Sequence, residues 1–212
     1  MYGTEGGNSP RFPVGQCGEE MLAEMSEHHT PITDMALRLL DADPADSVLD
    51  IGCGGGRALK RLSQIVSDGK LFGVDYSETA VECTKKENAA DVESGKLTVV
   101  QGSVSDLPFE ENSFDKVYSI ESYFFWPDIA NDLKEVLRVL KPGGKAVIAG
   151  CFMPKREQTE EMKAHYAALD LHVLSAEEFV LHLQDAGFRK AQAYVEVGEE
   201  GKHSHLCAIG WK

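Results

Sequence analysis

The stretch "SVLDIGCGGGRAL", residues 47–59, decides the fold of this chain. A short apolar run ends in alternating glycines and is followed by residues that favour a helix. Glycines at a strand end let the backbone approach a ligand closely, and the N-terminus of the next helix presents free N–H groups. The stretch therefore predicts a strand–loop–helix unit that binds a nucleotide-like cofactor at the carboxyl edge of a sheet.

Composition bounds the class of protein. The chain has 212 residues, of which 42% are hydrophobic and 26% charged, so it can form one well-buried domain. No apolar run approaches the roughly 20 residues that a membrane helix needs. The N-terminus lacks the apolar core of a secretory signal. We therefore expect a cytoplasmic protein that binds no membrane.

Charge and cysteine content argue against nucleic-acid and metal partners. Lys and Arg number 21 and Asp and Glu number 35, which gives a formal net charge of −14. Such a field repels phosphate backbones, so no nucleic-acid partner is expected. The five cysteines are scattered, as in a reducing compartment. His203, His205 and Cys207 would share one strand face, but neighbouring positions of one strand converge poorly on an ion, and no metal site is predicted.

Strand and helix patterns alternate after the opening helices. Strands are predicted at 47–51, 70–75, 96–101, 114–120 and 145–150, with helices between them at about 55–67, 77–92 and 128–140. Helices at 155–169 and 175–187 precede two β runs, 188–197 and 202–211, that flank the turn "GEEG". This order predicts an α/β fold, a Rossmann-like doubly wound seven-stranded sheet, mostly parallel with a C-terminal antiparallel hairpin.

The domain organisation is simple. Residues 1–16 are rich in Gly, Pro and polar side chains and are expected to form a flexible N-terminal segment. Residues 17–212 are expected to form a single domain. It comprises N-terminal helices at 17–41, a cofactor-binding core at 47–151, and variable helices with the closing hairpin at 152–212.

Two cofactor classes compete for the glycine loop. A dinucleotide loop has the pattern G-x-G-x-x-G/A; Gly52 and Gly54 fit it, but the third position is Arg57. Asp50, at the strand end, would repel a pyrophosphate but attract an ammonium group, directly or through water. S-adenosylmethionine carries an ammonium, a sulfonium, a ribose and an adenine, and no phosphate. An NAD-dependent oxidoreductase and a non-catalytic cofactor-binding protein remain the alternatives.

Over roughly residues 30–212 the chain resembles the class I S-adenosylmethionine-dependent methyltransferases, most closely small-molecule enzymes of the ubiquinone/menaquinone-biosynthesis and sterol type. "LDIGCGGG" resembles the first motif of that family, and "GVDYS" its acidic second-strand end. "QGSVSDLPFEENSFDKVYS" and "LKEVLRVLKPGGKAVIAG" resemble the segments around strands three to five. The resemblance implies S-adenosyl-L-methionine as cofactor, S-adenosyl-L-homocysteine as product, a small-molecule substrate, and a monomer or homodimer.

The resemblance also implies a set of cofactor contacts. Asp75 matches the acid that grips both ribose hydroxyls, which a carboxylate can do by accepting two hydrogen bonds. Ser103 replaces the usual adenine-binding aspartate of G-D-A-x-x-L-P-F; Asp106 could substitute only if its loop turned inward. Tyr76 lies either on the adenine or on the surface. The predicted cofactor-binding residues are Asp50, Gly52, Cys53, Gly54, Gly56, Asp75, Tyr76, Gly102, Ser103, Val104 and Ile120.

Methyl transfer is an in-line displacement that positioning and water exclusion can accelerate without an obligatory catalytic residue. In this fold "SIESYFFWPD" lies beside the methyl group, and it is not the N-P-P-Y type linked to nucleobase or glutamine nitrogens. Glu121, as a base, as a ligand for a cationic substrate or as a mere loop-orienting residue, is the first catalytic candidate.

Further candidates lie around that segment. His29, which with His28 ends a helix that often covers the cofactor as a lid in this family, is a second catalytic candidate, and Tyr123 is a third. Two of the four aromatic side chains at 123–126 are expected to line a pocket. His165 and Tyr166 could touch a substrate from the variable helices.

Overall fold

One seven-stranded sheet organises the computed structural model, which describes residues 9–152, 159–168, 171–197 and 204–212. The strand order is β3-β2-β1-β4-β5-β7-β6. The strands are β1 (Ser47–Ile51), β2 (Lys70–Asp75), β3 (Leu97–Gln101), β4 (Phe114–Ile120), β5 (Leu140–Phe152), β6 (Lys190–Glu196) and β7 (Ser204–Trp211). The expected 198–201 turn lies outside the described residues, as does His203.

The sheet is parallel from β3 to β5 and antiparallel at its other end. β1 pairs in parallel with both β2 and β4, whereas β7 runs antiparallel to β5 and β6. This arrangement confirms the predicted fold class. Chain order reverses between β1 and β4, and such a switch point opens a crevice at the carboxyl ends of the strands.

Helices cover both faces of the sheet. The helices are α1 (Gly15–His28), α2 (Thr30–Leu40), α3 (Arg57–Leu62), α4 (Glu78–Glu87), α5 (Ala89–Glu93), α6 (Ile129–Val139), α7 (Glu160–Ala168) and α8 (Ala176–Ala186). One apolar layer joins α2, α3 and α4 to the sheet, and a second joins α6 and α8 to its opposite face. Successive β1 side chains alternate between the layers: Val48 belongs to the first, and Leu49 to the second. Across the described part of the chain, none of the helices has the length and apolar character needed to cross a bilayer.

The helix expected over 77–92 is divided at Asn88. Asn88 has φ −115° and ψ 31°, and its buried side-chain amide donates to the carbonyl oxygens of Thr84 (2.9 Å) and Gly56 (3.1 Å). The Asn88 side chain therefore connects the end of α4 to the glycine loop that precedes α3. That loop also shortens α3, which was expected from about residue 55, because Gly56 has φ +77° and precedes the first helical residue.

Part of the N-terminal segment expected to be flexible, residues 9–16, forms hydrogen bonds with residues at the start of α4. The Ser77 hydroxyl donates to the Pro13 carbonyl oxygen (2.7 Å), and the Gly15 N–H donates to Thr79 Oγ1 (3.2 Å). In both hydrogen bonds the partner lies 64 positions away in the sequence, a contact that the composition of the segment does not indicate. Residues 1–8 lie outside the described part.

We expect Gly56→Ala to destabilise the fold more than Gly95→Ala. Both glycines have positive φ, +77° and +71°, so each substitution strains the backbone by about 1 kcal/mol. A Cβ at position 56 would lie 2.7 Å from Asn88 Nδ2 and 2.9 Å from Thr84 Cα, whereas at position 95 it would meet nothing within 4 Å. Urea unfolding should give a free energy of unfolding about 1–3 kcal/mol lower for Gly56→Ala than for Gly95→Ala. Equal losses would contradict the close packing described here.

Candidate active site

A cavity of about 1180 Å³ opens at the carboxyl ends of β1, β2 and β4. Every residue predicted to bind the cofactor lines it, as do the two catalytic candidates His29 and Glu121. The cofactor-site residues brought together are Asp50, Gly52, Cys53, Gly54, Gly56, Asp75, Tyr76, Gly102, Ser103, Val104 and Ile120.

The glycine loop is pinned on both sides. The N–H groups of Gly52 and Cys53 donate to the Val74 carbonyl oxygen of the neighbouring strand (2.8 and 3.2 Å), and Thr84 Oγ1 donates to the Gly54 carbonyl oxygen (2.8 Å). A Cβ at position 52 would lie 2.5 Å from Ser122 Oγ. The loop therefore presents backbone to the cavity.

Asp75 holds the loop and keeps acceptor capacity for a ligand. Its Oδ2 accepts from the Gly54 N–H and its Oδ1 from the Ser77 N–H, both at 2.9 Å. Burial raises the pKa of this carboxyl, and the backbone donors partly oppose that rise. Each carboxylate oxygen has two lone pairs, so both can also accept from a vicinal diol such as a ribose.

Asp50 is buried at the end of β1 beside the other carboxylate. The Tyr118 hydroxyl donates to Asp50 Oδ2 at 2.7 Å. Burial raises the pKa of Asp50 to about 8; the Tyr118 hydrogen bond opposes this rise and the charge of Asp75 adds to it. A cation at this position would restore the ionised form. Sequence reasoning missed Tyr118 because its pairing opposite Asp50 in β4 is a matter of strand register.

The structure separates the two candidates for the adenine end. Ser103 lines the cavity and its Oγ accepts from the Ser105 N–H (3.2 Å), whereas Asp106 is exposed and lies outside the cavity lining. The Tyr76 side chain lines the cavity yet is 64% exposed, with its ring 5.5 Å from that of Phe12. Tyr76 therefore lies partly in the cavity wall and partly on the protein surface, so each of the two predicted positions is correct in part.

Glu121 and His29 face each other in the cavity wall. Glu121 adopts φ +57°, a region that residues other than glycine occupy rarely, and its Oε1 accepts from the Cys151 N–H. Its Oε2 lies 3.5 Å from His29 Nε2. Burial raises the pKa of Glu121 to about 6, while burial and the neighbouring His28 lower the pKa of His29 to about 4. At neutral pH the pair is a carboxylate beside a neutral imidazole.

Tyr123 does not reach the cavity, which corrects its assignment as a catalytic candidate. Its ring is 1% exposed and packs against Phe179 with 4.8 Å between centroids. It also fills the space over Gly150, where a Cβ would lie 2.6 Å from Tyr123 Cε1. Phe125 and Trp126 do line the cavity, so the expectation of two aromatic side chains is confirmed.

The other polar candidates contribute less. Tyr166 does not line the cavity, and the His165 side chain is outside the described set. No group of three His, Cys, Asp or Glu side chains within the described ranges could hold a metal ion. Sequence reasoning expected the helix that ends at His28 to cover the cofactor but did not single out several lining residues from the N-terminal segment, α1 and α2: Pro10, Arg11, Pro13, Leu22, Met25, Thr30 and Thr33.

Comparison with known proteins agrees with this geometry. Residues 49–148 match a family model described as a methyltransferase domain. The 2-phytyl-1,4-naphtoquinone methyltransferase of Trichormus variabilis is 35% identical over 137 residues, which cover 63% of this chain and 58% of that protein. The 27-O-demethylrifamycin SV methyltransferase of Amycolatopsis mediterranei is 28% identical, covering 81% of this chain and 64% of that protein. The chain thus spans less than two thirds of the length of these relatives.

A solved structure shows the same fold. In a complex of the Haloferax volcanii Trm112 methyltransferase activator with a putative methyltransferase, the similar chain gives a TM-score of 0.78 at 24% identity. The similarity covers 91% of this chain and 93% of that one. The fold is an α/β fold of Rossmann-like type, with a cavity at the carboxyl ends of its central strands. The family match over the core strands, residues 49–148, agrees with the resemblance to the class I S-adenosylmethionine-dependent methyltransferases that the sequence motifs carry. The matches give no support to the oxidoreductase alternative.

We expect the affinity for S-adenosylhomocysteine to increase as the pH is raised from 6 to 8. Asp50, with a pKa of about 8, must lose its proton to attract the ligand's ammonium group, which changes affinity by at most about tenfold per pH unit. Calorimetry across this range measures the slope. Asp50→Asn should flatten it, and Tyr118→Phe should displace it to higher pH, since the donated hydrogen bond stabilises the carboxylate. The same slope in Asp50→Asn would show that another group titrates.

Proposed function

We propose that this protein transfers a methyl group from S-adenosylmethionine to a small molecule whose reacting atom carries a proton, such as a hydroxyl on an aromatic or conjugated ring. The observation that carries the proposal is one cavity in which a glycine loop lies between two acids, the buried Asp50 and the half-buried Asp75, with Glu121 nearby. Relatives that are named as naphthoquinone and rifamycin methyltransferases support the acceptor class.

The residues present fit the cofactor, which when bound supplies a methyl group on a positively charged sulfur. Asp75 would hold the ribose and Asp50 the ammonium group. Ser103 and the Val104 N–H would hold the adenine. Phe125 and Trp126 would exclude water from the reacting atoms, as in-line transfer requires.

Glu121 would act as the general base. Its Oε2 accepts the proton that the acceptor releases, while its Oε1 stays bound to the Cys151 N–H, which fixes the carboxylate in place. His29, neutral at pH 7, lies beside Oε2 and can pass a proton towards the cavity mouth. A base with a pKa of about 6 is ionised at neutral pH yet still basic enough to share a proton in the transition state.

The remaining partners follow from composition. A net charge of −14 supports a small-molecule substrate and no nucleic-acid partner. We propose a cytoplasmic location because the scattered cysteines suit a reducing compartment. A monomer or homodimer remains the prediction for the oligomeric state.

Calorimetry with S-adenosylhomocysteine and NADH tests the cofactor. We expect heat from the first ligand only, and Asp75→Ala should weaken its binding by roughly 10- to 100-fold, since hydrogen bonds to charged groups contribute about 1.5–3 kcal/mol each. Asp106→Ala is the matched control, because this nearby acid is exposed and outside the cavity lining, and its affinity should equal that of the wild type. Heat from NADH and none from S-adenosylhomocysteine would refute the proposed methyltransferase activity.

Glu121→Gln tests the base. We expect kcat to fall by about 10²- to 10⁴-fold, with S-adenosylhomocysteine affinity unchanged within about twofold, because general bases contribute that much to turnover. In the wild type at saturating S-adenosylmethionine, kcat/KM for the acceptor should fall as the pH drops through about 6, where Glu121 gains a proton, and this fall should vanish in the variant. Exposed Glu111→Gln is the control. The assay uses radiolabelled methyl transfer to whichever of a hydroquinone, a phenol or an amine turns over, and undiminished turnover in Glu121→Gln would refute the role.

A further inference from the structure

A short turn before α1 forms part of the cavity wall. Ser9 and Phe12 exchange two backbone hydrogen bonds (3.3 and 2.9 Å), and Ser9 Oγ also accepts from the Phe12 N–H (3.2 Å). Proline at the second position and serine at the first favour such a turn. Its two central residues, Pro10 and Arg11, line the cavity, as does Pro13. We call residues 9–12 the N-terminal turn.

Three contacts attach this segment to the end of β2. The Ser77 hydroxyl donates to the Pro13 carbonyl oxygen (2.7 Å) in a buried hydrogen bond. The Gly15 N–H donates to Thr79 Oγ1 (3.2 Å). The rings of Phe12 and Tyr76 meet edge to face at 61°, with 5.5 Å between centroids. All three partners follow Asp75 within four residues, so the turn is anchored next to the predicted ribose site.

Ser77 fixes the turn relative to that acid. Its N–H donates to Asp75 Oδ1, its hydroxyl accepts from the Ala80 N–H (3.3 Å) at the start of α4, and the same hydroxyl donates to Pro13. One 1%-exposed residue therefore positions the acid, the helix and the turn together. A ligand that binds Asp75 would therefore lie in a cavity whose wall also includes the N-terminal turn.

We infer that the N-terminal turn is a part of the cofactor site that contacts the adenosine portion of S-adenosylmethionine. Pro10 and Arg11 supply the contact surface, and Phe12 is a positioning residue that holds the largely exposed Tyr76 ring against the cavity. This inference rests on the proposed function. The cofactor site would thus be completed by residues far in sequence from every motif that identifies the domain.

The test uses the full chain with Pro10→Gly and Phe12→Ala combined. Calorimetry should show S-adenosylhomocysteine and adenosine weakened by the same factor of about fivefold or more, because both ligands carry the portion that the turn contacts. The single variant Phe12→Tyr, which keeps the ring, should retain most of the wild-type affinity. Leu181→Ala, which removes an exposed apolar side chain 57% accessible on α8, is the control and should bind as the wild type does.

A second measurement separates a binding role from a purely structural one. S-adenosylhomocysteine should slow amide exchange at residues 11–18 of the wild type, and the ligand-free melting temperature of the double variant should stay close to that of the wild type. Unchanged affinity in the double variant, or a loss for S-adenosylhomocysteine without one for adenosine, overturns the inference and leaves the proposed function standing. Failure of the wild type to bind S-adenosylhomocysteine overturns both.

Discussion

The close approach of bare backbone at the end of β1 is the constraint on which the site depends. Gly52 has φ +78° and Gly56 has φ +77°, and a Cβ at either position would meet a neighbour at 2.5 to 2.7 Å. The Ser122 side chain occupies the space next to Gly52, and the Asn88 side chain occupies the space next to Gly56. The loop can pack this closely because these positions carry no side chain, and the positive φ of Gly56 delays the start of the helix that follows. The conformation of the loop and the position where the helix starts therefore depend on the same two glycines.

A pair of neighbouring carboxyl groups is the second organising feature. Asp50 and Asp75 lie at neighbouring strand ends, and burial raises the pKa of each, since a carboxylate loses hydration there. Backbone N–H groups and the Tyr118 hydroxyl offset part of that loss. A cationic ligand would offset more, and a diphosphate would increase it. The electrostatics thus select among nucleotide-like cofactors more sharply than the shape of the loop does.

Glu121 shows how the opposite wall is built. Its left-handed backbone conformation costs about 1–2 kcal/mol in a residue with a Cβ, and the strand partner Ala149 and the Cys151 N–H hold it there. Backbone strain in a buried acid that lines a cavity is typical of a functional site. The same short segment sends Tyr123 into the core and Phe125 to the cavity. Neighbouring aromatic residues consequently have different roles.

The sequence by itself determined the alternation of strands and helices, the antiparallel pairing of the last two strands, the glycine loop and the acids that flank it, because these depend on local periodicity and on residue types at fixed spacing. Only the tertiary structure decided that Tyr118 supports Asp50, that Ser103 rather than Asp106 faces the cavity, that Tyr123 lies in the core, and that residues 9–16 contact the start of α4. Each of these depends on strand register or on contacts between segments far apart in the chain, and nothing in the local pattern of a sequence encodes such distances.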